Sequence, residues 1–404
     1  MKKSILIVAN NLEIGGAERA LISLLDVIDC NKYNVDLFLL RHSGEFMQFI
    51  PKKINLLPEI KEYATLGVPI SNVIKHGLLK QAYGRLIGKI KAKSYIEKHN
   101  INGVNSVEIE YSYKYTKKYM PMISNKKYDL VIGFSTPYYF VDEKTIGNKK
   151  IAWIHTDYSS IPGDTESELK VWSVYDNIVS ISDTVTKAFV KKYPTLEDKI
   201  VLIENIISSD FIQTQTNLID ISDEMKKSED SMNLLSIGRF STVKNFTSIP
   251  SICKKIVDAG INIKWYIIGY GAEEKRILEE IEKLCMKDNV IVLGKKDNPY
   301  PYIKQCDIYV QPSKFEGKSV SILEAKVLGK PVVVTNFPTA KDQVRDGFDG
   351  IIVPMDVEGC ANGIIDLINN KSKLEYLINN CKNTNYCNED EVKKIYELIN
   401  MREI

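Results

Sequence analysis

A rhythm that runs through this chain twice constrains its fold more than any other feature. Short runs of β-branched and apolar residues alternate with longer stretches of helical period. The first series occupies 5–9, 35–40, 130–134, 151–154 and 178–181. After a polar segment at 213–230, a second series occupies 234–237, 265–268, 290–293, 308–310, 332–335 and 351–353, with amphipathic stretches such as 273–285 between them. Strand and helix in repeated alternation predict a parallel sheet with helices on both faces. Two such series predict an α/β chain of two doubly wound Rossmann-like domains facing across a cleft. At 404 residues the chain exceeds the roughly 250–300 at which single cores stop growing. The expected division is 1–205 and 206–386, with a helix at about 387–404 packing back on the first domain. In such sheets ligands bind off the carboxyl ends of the strands, so the informative residues should follow strands directly.

Composition narrows the class. Hydrophobic residues make up 44% and charged residues 26%, which excludes disorder, collagen and coiled coil. No apolar run approaches the ~18 residues that span a bilayer. The apolar 5–9 stretch behind Lys2 and Lys3 is too short for a signal peptide, so a cytoplasmic location is expected. The seven cysteines show no C-x-x-C pair and no histidine at metal-ligand spacing, and neither a disulfide frame nor a metal site is predicted. Net charge is +2, yet residues 1–200 carry 28 Lys and Arg against 22 Asp and Glu. That excess points to an anionic partner near the first half. The 75–98 stretch has Leu78, Leu79, Tyr83, Leu86, Ile87 and Ile90 among Lys80, Arg85, Lys89, Lys91 and Lys93. This spacing predicts a basic amphipathic helix, suited either to peripheral contact with an anionic membrane at its inner face or to packing one side on its own domain. Nucleic acid is not among the expected partners.

Four segments carry candidate chemistry. After the first strand, Gly15 and Gly16 precede a helical pattern, where backbone N–H groups can approach a phosphate; a plain tight turn is the alternative. After strand 234–237, Arg239 and Lys244 share one loop before another helix, placed to clamp a diphosphate. After strand 308–310 comes a loop with Glu316, then a helix expected to start near Ser319 that contains Glu324. Leaning towards the helix N-terminus, Glu324 can face the same cleft as Glu316. Gly317, Lys318, Ser319 and Val320 would offer free backbone N–H groups to an anion. A nucleotide-sugar, with hydroxyls at both ends and phosphate between, satisfies this set. His155 follows strand 151–154, where an acid/base or a sugar-hydroxyl partner would stand. Solvated surface charges and a structural histidine are the competing explanations.

Together these residues resemble the retaining glycosyltransferases of the fourth sequence family, which have the two-Rossmann GT-B fold and include capsule and surface-polysaccharide enzymes. The resemblance rests on the G-G-A-E-R segment, the strand ending at His155, G-R-x-x-x-x-K-N, the two glutamates with seven residues between them, 328–336, and the Asp-Gly pairs at 346–347 and 349–350. It implies transfer of a sugar from a nucleoside-diphosphate-sugar, a UDP-sugar foremost, to a hydroxyl of a saccharide acceptor, lipid-linked, with retention. Arg239 and Lys244 would neutralise the leaving diphosphate, Glu316 would bind the donor sugar's hydroxyls and Glu324 the ribose. Gly15 and Gly16 would border the diphosphate and acceptor. His155 would hold the transferring sugar near its 6-position. No cofactor is implied, and cations with helix N-termini would take the place of a metal.

Lys318 departs from the aromatic or small residue of many members, and 60–127 resembles nothing assignable. Double displacement with Glu316 as nucleophile is the alternative mechanism. A protein O-glycosyltransferase, a nucleotide-sugar epimerase or phosphorylase on the same fold, and a non-catalytic partner subunit are the alternative functions.

Overall fold

The structure, a computed structural model, describes residues 2–103, 105–155, 158, 162–228 and 230–400. Its contacts divide the chain into unit 1, Met1–Ile206 with Glu389–Ile404, and unit 2, Ile207–Asn388.

Unit 1 is built on a sheet of β1 (Lys3–Ala9), β2 (Tyr33–Leu39), β3 (Asn55–Leu56), β4 (Lys127–Gly133), β5 (Ile146–Ile154), β6 (Asn177–Ser180) and β7 (Ile200–Leu202). Their order is β3-β2-β1-β4-β5-β6-β7, and every pairing is parallel. Two of these strands, β3 and β7, are too short to stand out in the hydropathy pattern. Unit 2 contains β8 (Met232–Ile237), β9 (Ile263–Ile268), β10 (Val290–Gly294), β11 (Ile308–Gln311), β12 (Val332–Thr335) and β13 (Gly350–Val353). These run parallel in the order β10-β9-β8-β11-β12-β13. Both sheets thus reverse direction of winding beside their first strand, between β1 and β4 and between β8 and β11. Each crevice there is the expected ligand position of a doubly wound sheet. The two α/β domains anticipated from the alternation are therefore present.

The near-continuous apolar runs follow from burial on both faces. In unit 2, Leu234, Trp265, Ile267, Ile308, Val310 and Val333 enter one core. Their neighbours Leu235, Tyr266, Ile268, Tyr309, Val332 and Val334 enter the other. Ser236 is tolerated in this setting because its Oγ donates to the Val310 carbonyl at 2.6 Å and accepts from Trp265 Nε1 at 2.9 Å.

Helix α1 (Gly16–Val27) follows β1, and α2 (Leu79–Lys98) packs on α3 (Val107–Thr116). The 75–98 helix begins later than its hydropathy suggested, because Ile70–Lys75 forms a separate turn of helix. Its inward face also differs from the expected apolar stripe. Gly84, Gly88 and Ala92 are buried, while Leu79, Tyr83, Leu86 and Ile90 are exposed. A Cβ on Gly88 would lie 2.6 Å from the Tyr111 carbonyl oxygen, and one on Gly84 2.8 Å from that of Tyr115. The small residues let the two backbones approach, and the large apolar side chains are left outside. Helix α4 (Thr165–Ser173) is capped by Asp164, and α5 (Val320–Val327) opens behind Ser319. The last helix, α6 (Val392–Asn400), packs within unit 1. Tyr396 stacks on Tyr33 at 4.4 Å and accepts from the Asp29 N–H at 2.9 Å. Lys149 donates to the Leu398 carbonyl at 3.2 Å.

Candidate functional site

The loops after β8 and β11 meet at the winding reversal of unit 2. Gly238 N–H donates to the Ile268 carbonyl and Phe240 N–H to that of Tyr270, fixing the start of the first loop. Asn245 ends it at φ 58°, a left-handed conformation that asparagine tolerates. Its side chain donates to the Pro312 carbonyl at 3.1 Å, and Lys314 N–H donates to the Val243 carbonyl at 2.7 Å. The two loops are therefore one rigid surface.

On that surface Lys244 Nζ donates to both oxygens of Glu316, at 2.6 and 2.9 Å. Glu316 Oε1 also accepts from Ser313 Oγ at 2.6 Å and Gln311 Nε2 at 3.2 Å. Such a buried carboxylate is tolerable because its charge is paired and its lone pairs are filled. Arg239, by contrast, is exposed and makes no side-chain hydrogen bond or ion pair among the described residues. The anticipated pair of cations thus separates into one engaged with Glu316 and one facing solvent.

Gly317 is open, with nothing within 4 Å of a Cβ placed there, and Lys318 is half-buried. Val320 is the first residue of α5 and Ser319 its N-cap. The expectation of free N–H groups from 317 to 320 fails at Ser319. Ser319 N–H is donated to Gln343 Oε1 at 2.7 Å, because the Gln343 amide lies against this turn and satisfies it. Thr339 Oγ1 donates to the Glu316 carbonyl at 2.8 Å. Thr339 and Gln343, four apart after β12, hold the loop, yet they are uncharged and carry no signal beyond their position behind a strand. Glu324 is buried and accepts from Tyr300 Oη at 2.8 Å. Burial, together with the negative charges of Glu316 and Glu324, pushes the Tyr309 phenol up. Tyr309 therefore stays a donor, and reaches Ser321 Oγ at 2.8 Å and Gln311 Oε1 at 2.7 Å.

Unit 1 has its own pocket at its winding reversal, of about 240 Å³. It is walled by the ends of β1 and β4, by Glu18 and Leu21 of α1, and by Ile109 and Tyr113 of α3. Gly15 is the N-cap of α1 in an extended conformation and Gly16 its first residue. A Cβ at Gly15 would sit 2.1 Å from Glu18 Oε2, so the glycine makes room for a carboxylate folded back over the helix start. The sequence names Glu18 only within the G-G-A-E-R segment, with no role of its own, and Tyr113, Ser135 and Tyr138 not at all, although Ser135 and Tyr138 follow a strand and lie where the winding rule directs attention.

His155 stands at the end of β5 against Phe134, with ring centroids 4.4 Å apart, and beside Trp153. Its Nε2 is shut off from solvent and has no partner among the described residues. Burial pushes the imidazole down to about 3, so it is neutral and able to exchange one hydrogen bond with a hydroxyl. Beneath the pocket, α3 is anchored through buried acids. Burial and the neighbouring Glu168 push the Glu110 carboxyl up to about 9. Glu168 accepts from Lys192 at 2.9 Å and from the Tyr193 hydroxyl. Tyr111 donates to Asp164 at 2.7 Å. Among the described residues, no group of three or more His, Cys, Asp or Glu is placed to hold a metal ion.

Residues 219–384, which include every unit 2 candidate, match the family model described as "Glycosyl transferases group 1". The capsular polysaccharide biosynthesis glycosyltransferase CapM of Staphylococcus aureus is 26% identical over 211 residues, covering 50% of this chain and 55% of its own. The N-acetylgalactosamine-N,N'-diacetylbacillosaminyl-diphospho-undecaprenol 4-alpha-N-acetylgalactosaminyltransferase of Campylobacter jejuni is 28% identical over 170 residues, 40% of this chain and 45% of its own. The chain spans about half the length of these curated relatives. HepE of Anabaena, solved in complex with UDP, superposes over 99% of this chain and 100% of its own with a TM-score of 0.64 at 16% identity. At that identity the likeness shows the fold, which is the two-domain GT-B arrangement of parallel α/β sheets.

Proposed function

We propose that this protein is a retaining glycosyltransferase that moves a sugar from a nucleoside-diphosphate-sugar, a UDP-sugar foremost, to a hydroxyl of a lipid-linked saccharide in surface-polysaccharide synthesis. The observation that carries the reading is the Lys244–Glu316 pair with exposed Arg239 beside it, held at the winding reversal of unit 2. This set lies inside the segment that matches group 1 glycosyl transferases. The capsule relative supports the pathway, and the diphospho-undecaprenol acceptor named for the Campylobacter protein supports a lipid carrier. The UDP complex of HepE supports the nucleotide.

In this reading Arg239 and Lys244 meet the diphosphate, with the backbone N–H groups of Gly317, Lys318 and Val320. Donor entry exchanges the Lys244–Glu316 contact for phosphate on the lysine and sugar hydroxyls on the glutamate. Glu324 takes the ribose, and neutral His155 takes a hydroxyl of the transferring sugar. The bond from the anomeric carbon to the diphosphate oxygen breaks with its electron pair, and the acceptor oxygen bonds to the same face. The acceptor's proton passes to the departing phosphate. Protein cations stabilise the leaving charge, so transfer proceeds without a divalent ion. The exposed apolar and lysine side chains of α2 rest on an anionic membrane.

The test is to incubate the protein with UDP-, GDP-, CDP- and dTDP-sugars in excess EDTA, with and without a detergent extract of lipid-linked saccharides, and to measure nucleoside diphosphate release. Release from one donor that rises with the extract is the expected outcome. Absence of donor binding would overturn the site assignment.

A further inference from the structure

The loop that carries Glu316, residues 312–319 between β11 and α5, has no repeating structure of its own to fix its shape. Gly317 stands in open space within it, and holding such a loop in one form costs conformational entropy that other contacts must offset. Those contacts come from the segment that begins at the end of β12. Thr335 Oγ1 donates to the Ser313 carbonyl, and Thr339 Oγ1 donates to that of Glu316 at 2.8 Å. Gln343 Nε2 donates to the Gly317 carbonyl at 3.3 Å, while its Oε1 accepts from Ser319 N–H at 2.7 Å. Three side chains spaced four apart thus grip the loop's backbone in order, from 313 to 319.

The grip is itself braced. Gln343 Nε2 also donates to Thr339 Oγ1 at 2.9 Å, which leaves that hydroxyl's proton for Glu316. From the last turn of α5, Lys326 Nζ donates to the Gln343 carbonyl at 2.7 Å and pairs with Asp349 at 3.4 Å. Asp349 is fully buried and also accepts from Arg345 Nε and Tyr386 Oη, each at 3.1 Å. Gln343 is therefore tied to both ends of α5. Thr335, Thr339 and Gln343 are all buried and spend their polar atoms on the loop and on one another, so whatever they do for a ligand they do through the loop.

We propose that Thr339, supported by Thr335 and Gln343, is a positioning residue that sets the place of Glu316 and thereby governs recognition of the donor's sugar ring rather than of its nucleotide. The proposal rests on the transferase reading. In that reading Lys244 leaves Glu316 for phosphate when the donor enters, and the carboxylate loses its counter-ion. The anchor at the Glu316 carbonyl stays. Glu324, which takes the ribose, is held separately by Tyr300.

The test uses the full chain and measures, by calorimetry, the dissociation constants of UDP with UDP-glucose and UDP-N-acetylglucosamine, and of GDP with GDP-mannose. For the tightest-binding nucleotide-sugar, the quantity followed is the ratio of its dissociation constant to that of its own nucleotide. Thr339→Val, which keeps the shape and removes the hydroxyl, should raise that ratio about fivefold and leave the nucleotide within about twofold. Thr339→Ser should restore the ratio, and Gln343→Met should raise it. In the Glu316→Gln chain, where the sugar contact is already altered, Thr339→Val should add less than about twofold. A ratio unmoved by Thr339→Val, or moved as far in the Glu316→Gln chain, would overturn the proposal and leave the transferase reading standing. Loss of nucleotide together with nucleotide-sugar in both Thr339→Val and Gln343→Met would also overturn it, since general support of unit 2 has that effect. No binding of any of these compounds by the unaltered chain would remove the transferase reading and the proposal with it.

Discussion

Lys244 and Glu316 are each other's counter-ion before any ligand arrives, so altering either one leaves the other charge stranded in a mostly buried place. Lys244→Ala and Glu316→Gln should each lower transfer at least tenfold, about 1.4 kcal/mol of barrier. Because the two act as a unit, the double variant should lose less than the product of the single losses. Rates that simply multiply would show that they act independently, and near-normal turnover in either would remove it from the site. His155 makes a separate statement about pH. Its folded value of about 3 lies below the ordinary 6.5, so between these limits the unfolded chain binds a proton that the folded chain refuses. Its contribution is fully present above about pH 6.5 and is lost as pH falls towards 3. The urea midpoint of the unaltered protein should therefore drop more steeply below pH 6.5 than that of His155→Gln. Parallel profiles would mean that the imidazole is not held neutral.

At the scale of elements, α2 shows what hydropathy can and cannot convey. The long strands were legible because burial on both faces writes them as continuous apolar runs, and the loops after β8 and β11 were legible because charge there is conspicuous. The two-residue β3 offered no period to detect. Tyr138 was missed because a tyrosine in a tyrosine-rich chain attracts no notice, and Glu18 stood in the G-G-A-E-R segment without a role, until the winding order sets them on one wall. In α2 the apolar stripe at 79, 83, 86 and 90 was visible, but not its direction. That was decided by Gly84 and Gly88, whose missing side chains let α3 claim the opposite face. The outward stripe, with Lys89, Lys91 and Lys93 exposed beside it, leads to a prediction for the element alone. Reversing those three charges to glutamate should weaken sedimentation with anionic liposomes severalfold and leave binding to neutral liposomes unaltered. Equal binding to anionic vesicles would remove the membrane contact from α2.

At the scale of the whole molecule, two units with separate cores need not melt together. UDP at a hundredfold excess over its dissociation constant should stabilise its host by about 2.7 kcal/mol. In hydrogen exchange that protection should appear in 207–388; protection confined to 1–206 would contradict the assignment of the nucleotide to unit 2. The chain path adds something further. It leaves unit 1 at Ile206 and re-enters it at Glu389. Ile207 N–H donates to Asn388 Oδ1 at 3.0 Å, and on the unit 1 side Glu204 N–H donates to Glu391 Oε2 at 2.9 Å. Entrance and exit are pinned side by side, so residues 207–388 form a closed cassette whose removal asks unit 1 to bridge only a short gap. In evolution as in engineering, such a cassette can be exchanged between chains by two neighbouring cuts.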